Sequence, residues 1–260
     1  MNPSPVGNTP PEIPRTVHRG LWVLVIGVAL AASAAIGWWT GHAGTAHTAA
    51  AELPSYGPAP QYQFVDQLGH TVHSGQFRGK VQIVTFLFPY CTTYCPLIAA
   101  HLAGFENTLR AAGLRDQVEL IAFNVAPRTT GPRQMRAFLR EYGWDPQDLH
   151  WQFLTGPAKQ VRRVVTGGFH IAYQRVSLAE EARNAKSERA HGAWFPQPVV
   201  ENPLAERAKP DYDVSHNDAL EIVGPDGNIR KVFTQADRVS DPQLLRIVQS
   251  LLHGGAAPAT

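Results

Sequence analysis

Cysteine is nearly absent: the 260 residues hold two, Cys91 and Cys95. A scaffold stapled by several disulfides is therefore excluded. What remains is a local device, either a redox pair or part of a metal site. A surplus of one charge sign is missing as well. The formal net charge is +2 and no Lys/Arg cluster stands out, so the chain carries no electrostatic footprint of nucleic-acid binding. Hydrophobic residues make up 44%, ordinary for a globular protein and too little for a chain that crosses a membrane many times. No internal repeat appears.

One long apolar run is present. Leu21 to Trp39 is nineteen residues without a charge. As a helix it spans roughly 28 Å, about the thickness of a hydrocarbon core. Trp22 lies near one end and Trp38 and Trp39 at the other, as interfacial anchors would. Arg15 and Arg19 precede the run, and the next Lys or Arg after it is Arg78. The positive-inside rule then leaves a tail, residues 1–20, in the cytoplasm and sends the rest of the chain out, to the periplasmic side of the cell membrane. The alternative is a cleaved signal peptide, with the small residues around Ala43 to Ala51 supplying the cleavage site. Both readings place the soluble part outside the cytoplasm.

Residues 40–60 are small, polar and Pro-containing, and read as a linker. From Gln61 the composition becomes globular. Phe64 to Val72 predicts a hairpin about Gly69. Val81 to Phe88 is an apolar run of strand length, the pattern of a central strand buried on both faces. A helix follows from Pro96, with Ile98, Leu102, Phe105 and Leu109 on one face and Gly113 as the stop. Val118 to Val125 is a second buried strand. Further on come a helix from Pro132, a strand Trp151 to Leu154, a helix Pro157 to Val165 and a strand near Phe169 to Arg175. Residues 177–210 are charged, then Pro-rich, with no clear period; they read as an insertion or long loop. Ala219 to Phe233 is a hairpin about Pro225, Asp226 and Gly227, and Asp241 and Pro242 open a last helix. Residues 254–260 form a tail. The expected fold is α/β and thioredoxin-like: three layers, α/β/α, with a mixed central sheet, occupying residues 61–253 and preceded by one transmembrane helix.

The chemistry sits where the first central strand runs into its helix, in FPYCTTYCP. A helix N-terminus there favours anions, so it favours thiolates, which are both nucleophile and metal ligand. The Cys-x3-Cys spacing suits a fast dithiol less well than Cys-x2-Cys, but it suits two sulfurs gripping one soft cation. Cu(I) is the first choice and Zn(II) its competitor. A third ligand is wanted. His216, just before the strand at Ala219, is expected in the loop facing the cysteines; His101, inside the following helix, is a second candidate.

The chain resembles the Sco/SenC family, copper proteins of cytochrome c oxidase assembly. The resemblance spans roughly residues 61–253 and rests on four features. They are FVDQLGHTVHSGQFRGK before the central strand, the C-x3-C-P loop at Cys91, Cys95 and Pro96, WQFLTG at Trp151 to Gly156, and a His shortly before GPDG. The resemblance implies copper as the bound ion, in either oxidation state, with Cys91, Cys95 and His216 as its ligands. It also implies a role at the oxidase's binuclear copper centre, with the copper-carrying subunit as partner: delivery of copper, or reduction of that centre's cysteines. The chain departs from the family where Pro and Asp often follow the first cysteine, here Thr92 and Thr93. It also lacks the usual acids at Ala126 and Thr130, and the Asp before the histidine, here Ser215. A metallochaperone is thus expected, with two alternatives. One is an extracytoplasmic thiol–disulfide oxidoreductase using Cys91 and Cys95 as its redox pair. The other is an accessory subunit of a respiratory complex.

Overall fold

A computed structural model describes residues 53–190, 199–208 and 210–254. The expected tail, the anchor at 21–39 and most of the linker lie outside the described residues, as do 255–260 and part of the 177–210 segment. Among the described residues no helix is long and apolar enough to cross a membrane.

The sheet is built on two strands whose seven residues are buried at every position, β3 (Val81–Leu87) and β4 (Val118–Asn124). Unbroken burial means both faces are covered, which their Val/Ile/Leu/Phe content permits. They pair in parallel, with Val84 opposite Ile121. β5 (Trp151–Leu154) adds in parallel beside β4. On the other side, β8 (Leu220–Val223) and β9 (Ile229–Phe233) add antiparallel, giving the order β5-β4-β3-β8-β9. The β8–β9 turn uses Gly227 at φ 83°, a left-handed conformation glycine adopts without strain. A short hairpin of β1 (Gln63–Val65) and β2 (Thr71–His73) precedes the sheet.

Helices α1 (Tyr94–Ala111), α2 (Pro132–Glu141) and α3 (Ala158–Val165) follow β3, β4 and β5, and α6 (Asp241–Gly254) closes the chain. Ring contacts show which face each covers, because side chains alternate across a strand. Phe138 of α2 meets Phe153 of β5 at 5.9 Å, and Asn124 reaches Met135 on the same side. Phe123 points the other way, meeting Tyr62 at 5.1 Å, Phe64 at 5.9 Å and Phe169, beyond α3, at 5.3 Å. The mixed sheet is therefore covered on both faces. Each fully buried phenylalanine of this core contributes on the order of 2 kcal/mol by leaving water.

Three sequence readings are altered. The strand expected near Phe169 starts only at Tyr173, because His170 takes φ 59° and breaks the extended backbone. The 178–210 segment is partly helical, with α4 (Leu178–Ala190) and α5 (Pro203–Ala208). It connects the two strands of a separate antiparallel ribbon, β6 (Tyr173–Ser177) and β7 (Tyr212–His216), registered Tyr173 to His216. His216 is thus the last residue of a strand, not part of a loop.

Candidate functional site

Past the end of β3 the chain turns sharply. The Cys91 amide donates to the Phe88 carbonyl at 3.0 Å, and the Phe88 amide donates to Cys95 Sγ at 3.5 Å. Helix α1 begins at Tyr94, two residues earlier than the Pro96 start the sequence suggests, so Cys95 lies in its first turn. Pro96 falls at the third helical position, where an α-helix makes no use of a backbone donor. Thr93 occupies the N-cap but does not cap the helix. Its hydroxyl lies 3.2 Å from Cys91 Sγ, and its amide donates to the same sulfur at 3.5 Å.

The β7 end brings His216 against this loop. Its Nε2 is 3.6 Å from Cys95 Sγ, and its Nδ1 is 2.9 Å from the Asn217 carbonyl. A carbonyl only accepts, so Nδ1 is assigned the proton and Nε2 turns a lone pair toward the sulfur. This is the tautomer a metal-binding imidazole needs, oriented by a backbone partner. Burial lowers the His216 pKa, with the Asn217 carbonyl and Asp213 opposing, so the ring stays neutral.

The two thiols are pushed apart. Cys91 lies below the usual thiol range, chiefly through the neighbouring Cys95 thiol, with burial opposing and Thr93 assisting. Cys95 is fully buried, and burial drives it well above that range, with Cys91 adding to the shift. The helix N-terminus therefore does not ease both thiolates alike. Cys91 is the readily formed thiolate and Cys95 the proton-keeping partner that faces a neutral imidazole. Both cysteines are free thiols. Among the described residues no three His, Cys, Asp or Glu side chains stand drawn together as a ready-made metal set. The close contact is the Cys95–His216 pair, with Cys91 in the loop that leads to Cys95. The donor types, two sulfurs and an imidazole nitrogen, fit a soft cation.

His101 is held elsewhere. Its Nε2 is 2.8 Å from Asp241 Oδ1, and Thr108 donates to the other oxygen of Asp241 at 3.1 Å. It ties α1 to α6 and takes no part in the site.

The sequence reading missed one residue that shapes the loop. Asn202, 1% exposed, donates from Nδ2 to the carbonyls of Pro89 at 3.1 Å and Cys91 at 2.7 Å. Its Oδ1 accepts from Leu204 at 3.0 Å, capping α5. Two residues earlier, the Val200 amide donates to the Thr92 carbonyl at 2.8 Å. The segment between β6 and β7 thus grips the cysteine loop from outside. Asn-Pro ahead of a short helix was the available sign, since Asn at the N-cap and Pro at the first helical position form a helix start.

A mixed sheet whose central strand delivers paired cysteines to a helix N-terminus defines a thioredoxin-like protein with a dithiol–imidazole site. The family follows from comparison. The sequence profile described as SCO1/SenC matches residues 52–195, more than half of the chain, and the chain belongs to that family. It is 26% identical over 190 residues to the SCO1 protein homolog of Bacillus subtilis (strain 168), covering 73% of this chain and 80% of that one. Solved structures repeat the fold. BsSco, described as a member of the Sco family of cytochrome c oxidase assembly proteins, superposes with TM-score 0.55 at 22% identity, covering 77% of this chain and 97% of that one. ScoI of Bradyrhizobium japonicum with copper bound gives TM-score 0.54 at 19% identity, covering 75% and 99%.

Proposed function

We propose that this protein is a copper-binding metallochaperone that serves assembly of the binuclear copper centre of a respiratory oxidase, holding copper through Cys91, Cys95 and His216. One observation carries the proposal: His216 Nε2 faces Cys95 Sγ at 3.6 Å while Nδ1 is fixed by the Asn217 carbonyl. A soft-metal site needs an oriented neutral imidazole beside its sulfurs, and this arrangement supplies one. Bound copper would supply a soft monovalent charge that offsets two thiolates. The protein's own part is to ease deprotonation of Cys91, hold the imidazole neutral and exclude water from Cys95. Family membership supports the same reading, as do BsSco, of a family of cytochrome c oxidase assembly proteins, and the copper-bound ScoI.

We further propose that Leu21 to Trp39 anchors the chain in the cell membrane, with the folded part on the extracytoplasmic side. An oxidase-assembly partner's copper-carrying subunit would be met there.

The split thiols favour a second reading. A low-pKa Cys91 beside a high-pKa Cys95 is the arrangement of an attacking and a resolving thiol in disulfide exchange. The two readings separate genetically. If copper handling is the function, Cys91→Ser and His216→Ala give the same loss of oxidase assembly. A His216→Ala strain with near-wild-type oxidase beside an inactive Cys91→Ser strain would reject the metallochaperone in favour of the oxidoreductase.

A further inference from the structure

We infer that a basic cleft beside the cysteine loop is a binding site for a carboxylate-bearing polypeptide segment. The cavity measures about 320 Å³ and lies between the loop after β4, the start of α3 and the β6–β7 ribbon. Arg128, Lys159, Arg162 and Arg175 surround it, with Tyr173 and Tyr212 among them. Four cations converge here on a chain whose net charge is only +2.

Three of the four cations are not neutralised in place. Arg175 pairs with Asp211 at 3.2 Å, both exposed. Among the described residues Arg128, Lys159 and Arg162 have no ion-pair partner. Like charges gathered around one cavity repel, and a bound anion relieves that repulsion. Two of the guanidinium groups are also aimed. Arg162 lies over the Tyr173 ring at 4.7 Å and Arg175 over the Tyr212 ring at 3.9 Å. Arg162 Nη2 also donates to the Tyr173 carbonyl at 3.5 Å and Arg175 Nη2 to Asp211 at 3.2 Å, and the remaining N–H groups of each stacked guanidinium can meet a planar carboxylate. Pro127 and Val214 add an apolar wall that a bare inorganic anion would not use and a peptide would.

The position gives the cleft a purpose beyond ion binding. Tyr212 and Val214 line it, and His216 follows on the same face of β7. Two residues of strand advance about 7 Å. Tyr212 also packs on Phe88 at 5.4 Å, whose amide holds Cys95 Sγ. A protein that seats an acidic stretch in the cleft is thereby brought alongside the cysteines and His216. This assignment goes beyond the copper reading and stands without it.

The test uses the full-length purified chain and a fluorescein-labelled, end-capped hexapeptide alternating Glu and Val. Anisotropy should show saturable binding that weakens several-fold as salt rises from ~50 to ~200 mM. The Lys/Val counterpart should not bind. R128E with R162E should weaken binding about tenfold or more, since each exposed charge pair alone is modest. Circular dichroism and Cu(I) stoichiometry on the same variant should match wild type, which separates loss of the cleft from loss of fold or of the copper site. Equal binding of both peptides, or unchanged affinity in a folded R128E/R162E variant, would overturn the assignment. So would pyrophosphate binding here more tightly than the Glu/Val peptide, which would make the cleft a phosphate site.

Discussion

Replacing Asn202 by Ala tests whether the segment between β6 and β7 governs the cysteine loop. The side chain makes four hydrogen bonds. Nδ2 donates to the Pro89 and Cys91 carbonyls, and Oδ1 accepts from Leu204 and, at 3.4 Å, from Ala205. Truncation to Ala removes the α5 cap, worth about 1 kcal/mol. It also strips two carbonyls of a donor in a buried setting, at about 1 kcal/mol or more each. The sum is about 3 kcal/mol, a large share of the stability of a domain this size. Asn202→Asp separates the two parts: the cap oxygen survives, but an oxygen replaces the donor opposite Pro89 and Cys91. Chemical denaturation of both variants gives the stability change, and the rate of Cys91 modification by a thiol reagent reports the loop. Both variants should label Cys91 faster than wild type, with Asn202→Ala losing about 3 kcal/mol. A loss below about 1 kcal/mol with unchanged labelling would refute the grip of this segment on the loop.

Two further predictions follow from other parts of the chain. Glu221, 1% exposed on β8, has its pKa pushed up to about 8 by burial, so the folded state holds a proton that the unfolded chain gives up near pH 4.5. Its contribution is intact below about pH 4.5 and is lost as pH rises toward 8; Glu221→Gln should flatten that decline, by on the order of 2–4 kcal/mol at pH 8, and a pH–stability profile parallel to wild type would reject this. For topology, protease added outside spheroplasts should digest the folded part and leave a membrane fragment containing Leu21 to Trp39, whereas a protected folded part would place it in the cytoplasm.

The sheet was legible because its signals are local. Val81–Leu87 and Val118–Asn124 are continuous apolar runs, and the Gly69 and Gly227 turns sit between short strands. The cysteine loop was legible for the same reason, as a break between an apolar strand and a helical period. The pairing of β6 with β7 was not. A strand was read near β6, but YDVSH is only five residues long and its partner lies across the whole 178–211 segment, so no local pattern announces the ribbon. His216 was found as a residue but misplaced as a loop, because the strand that carries it depends on that distant partner. The split of the thiol pKa values also escaped the sequence, since it follows from the complete burial of Cys95, and burial is a property of packing. Asn202 acts on carbonyls more than a hundred residues away, a contact set by the tertiary fold alone.

The claim that Cys91, Cys95 and His216 form one copper site is tested most directly by X-ray absorption on the Cu(I)-loaded, reduced full-length chain. One copper per chain should show two sulfur scatterers and one imidazole nitrogen. His216→Ala should remove the imidazole signal, and oxidation of Cys91 and Cys95 to a disulfide should abolish binding, because a disulfide offers no thiolate. A copper shell without nitrogen in the wild type, or copper binding unchanged after quantitative oxidation of both cysteines, would contradict the assignment.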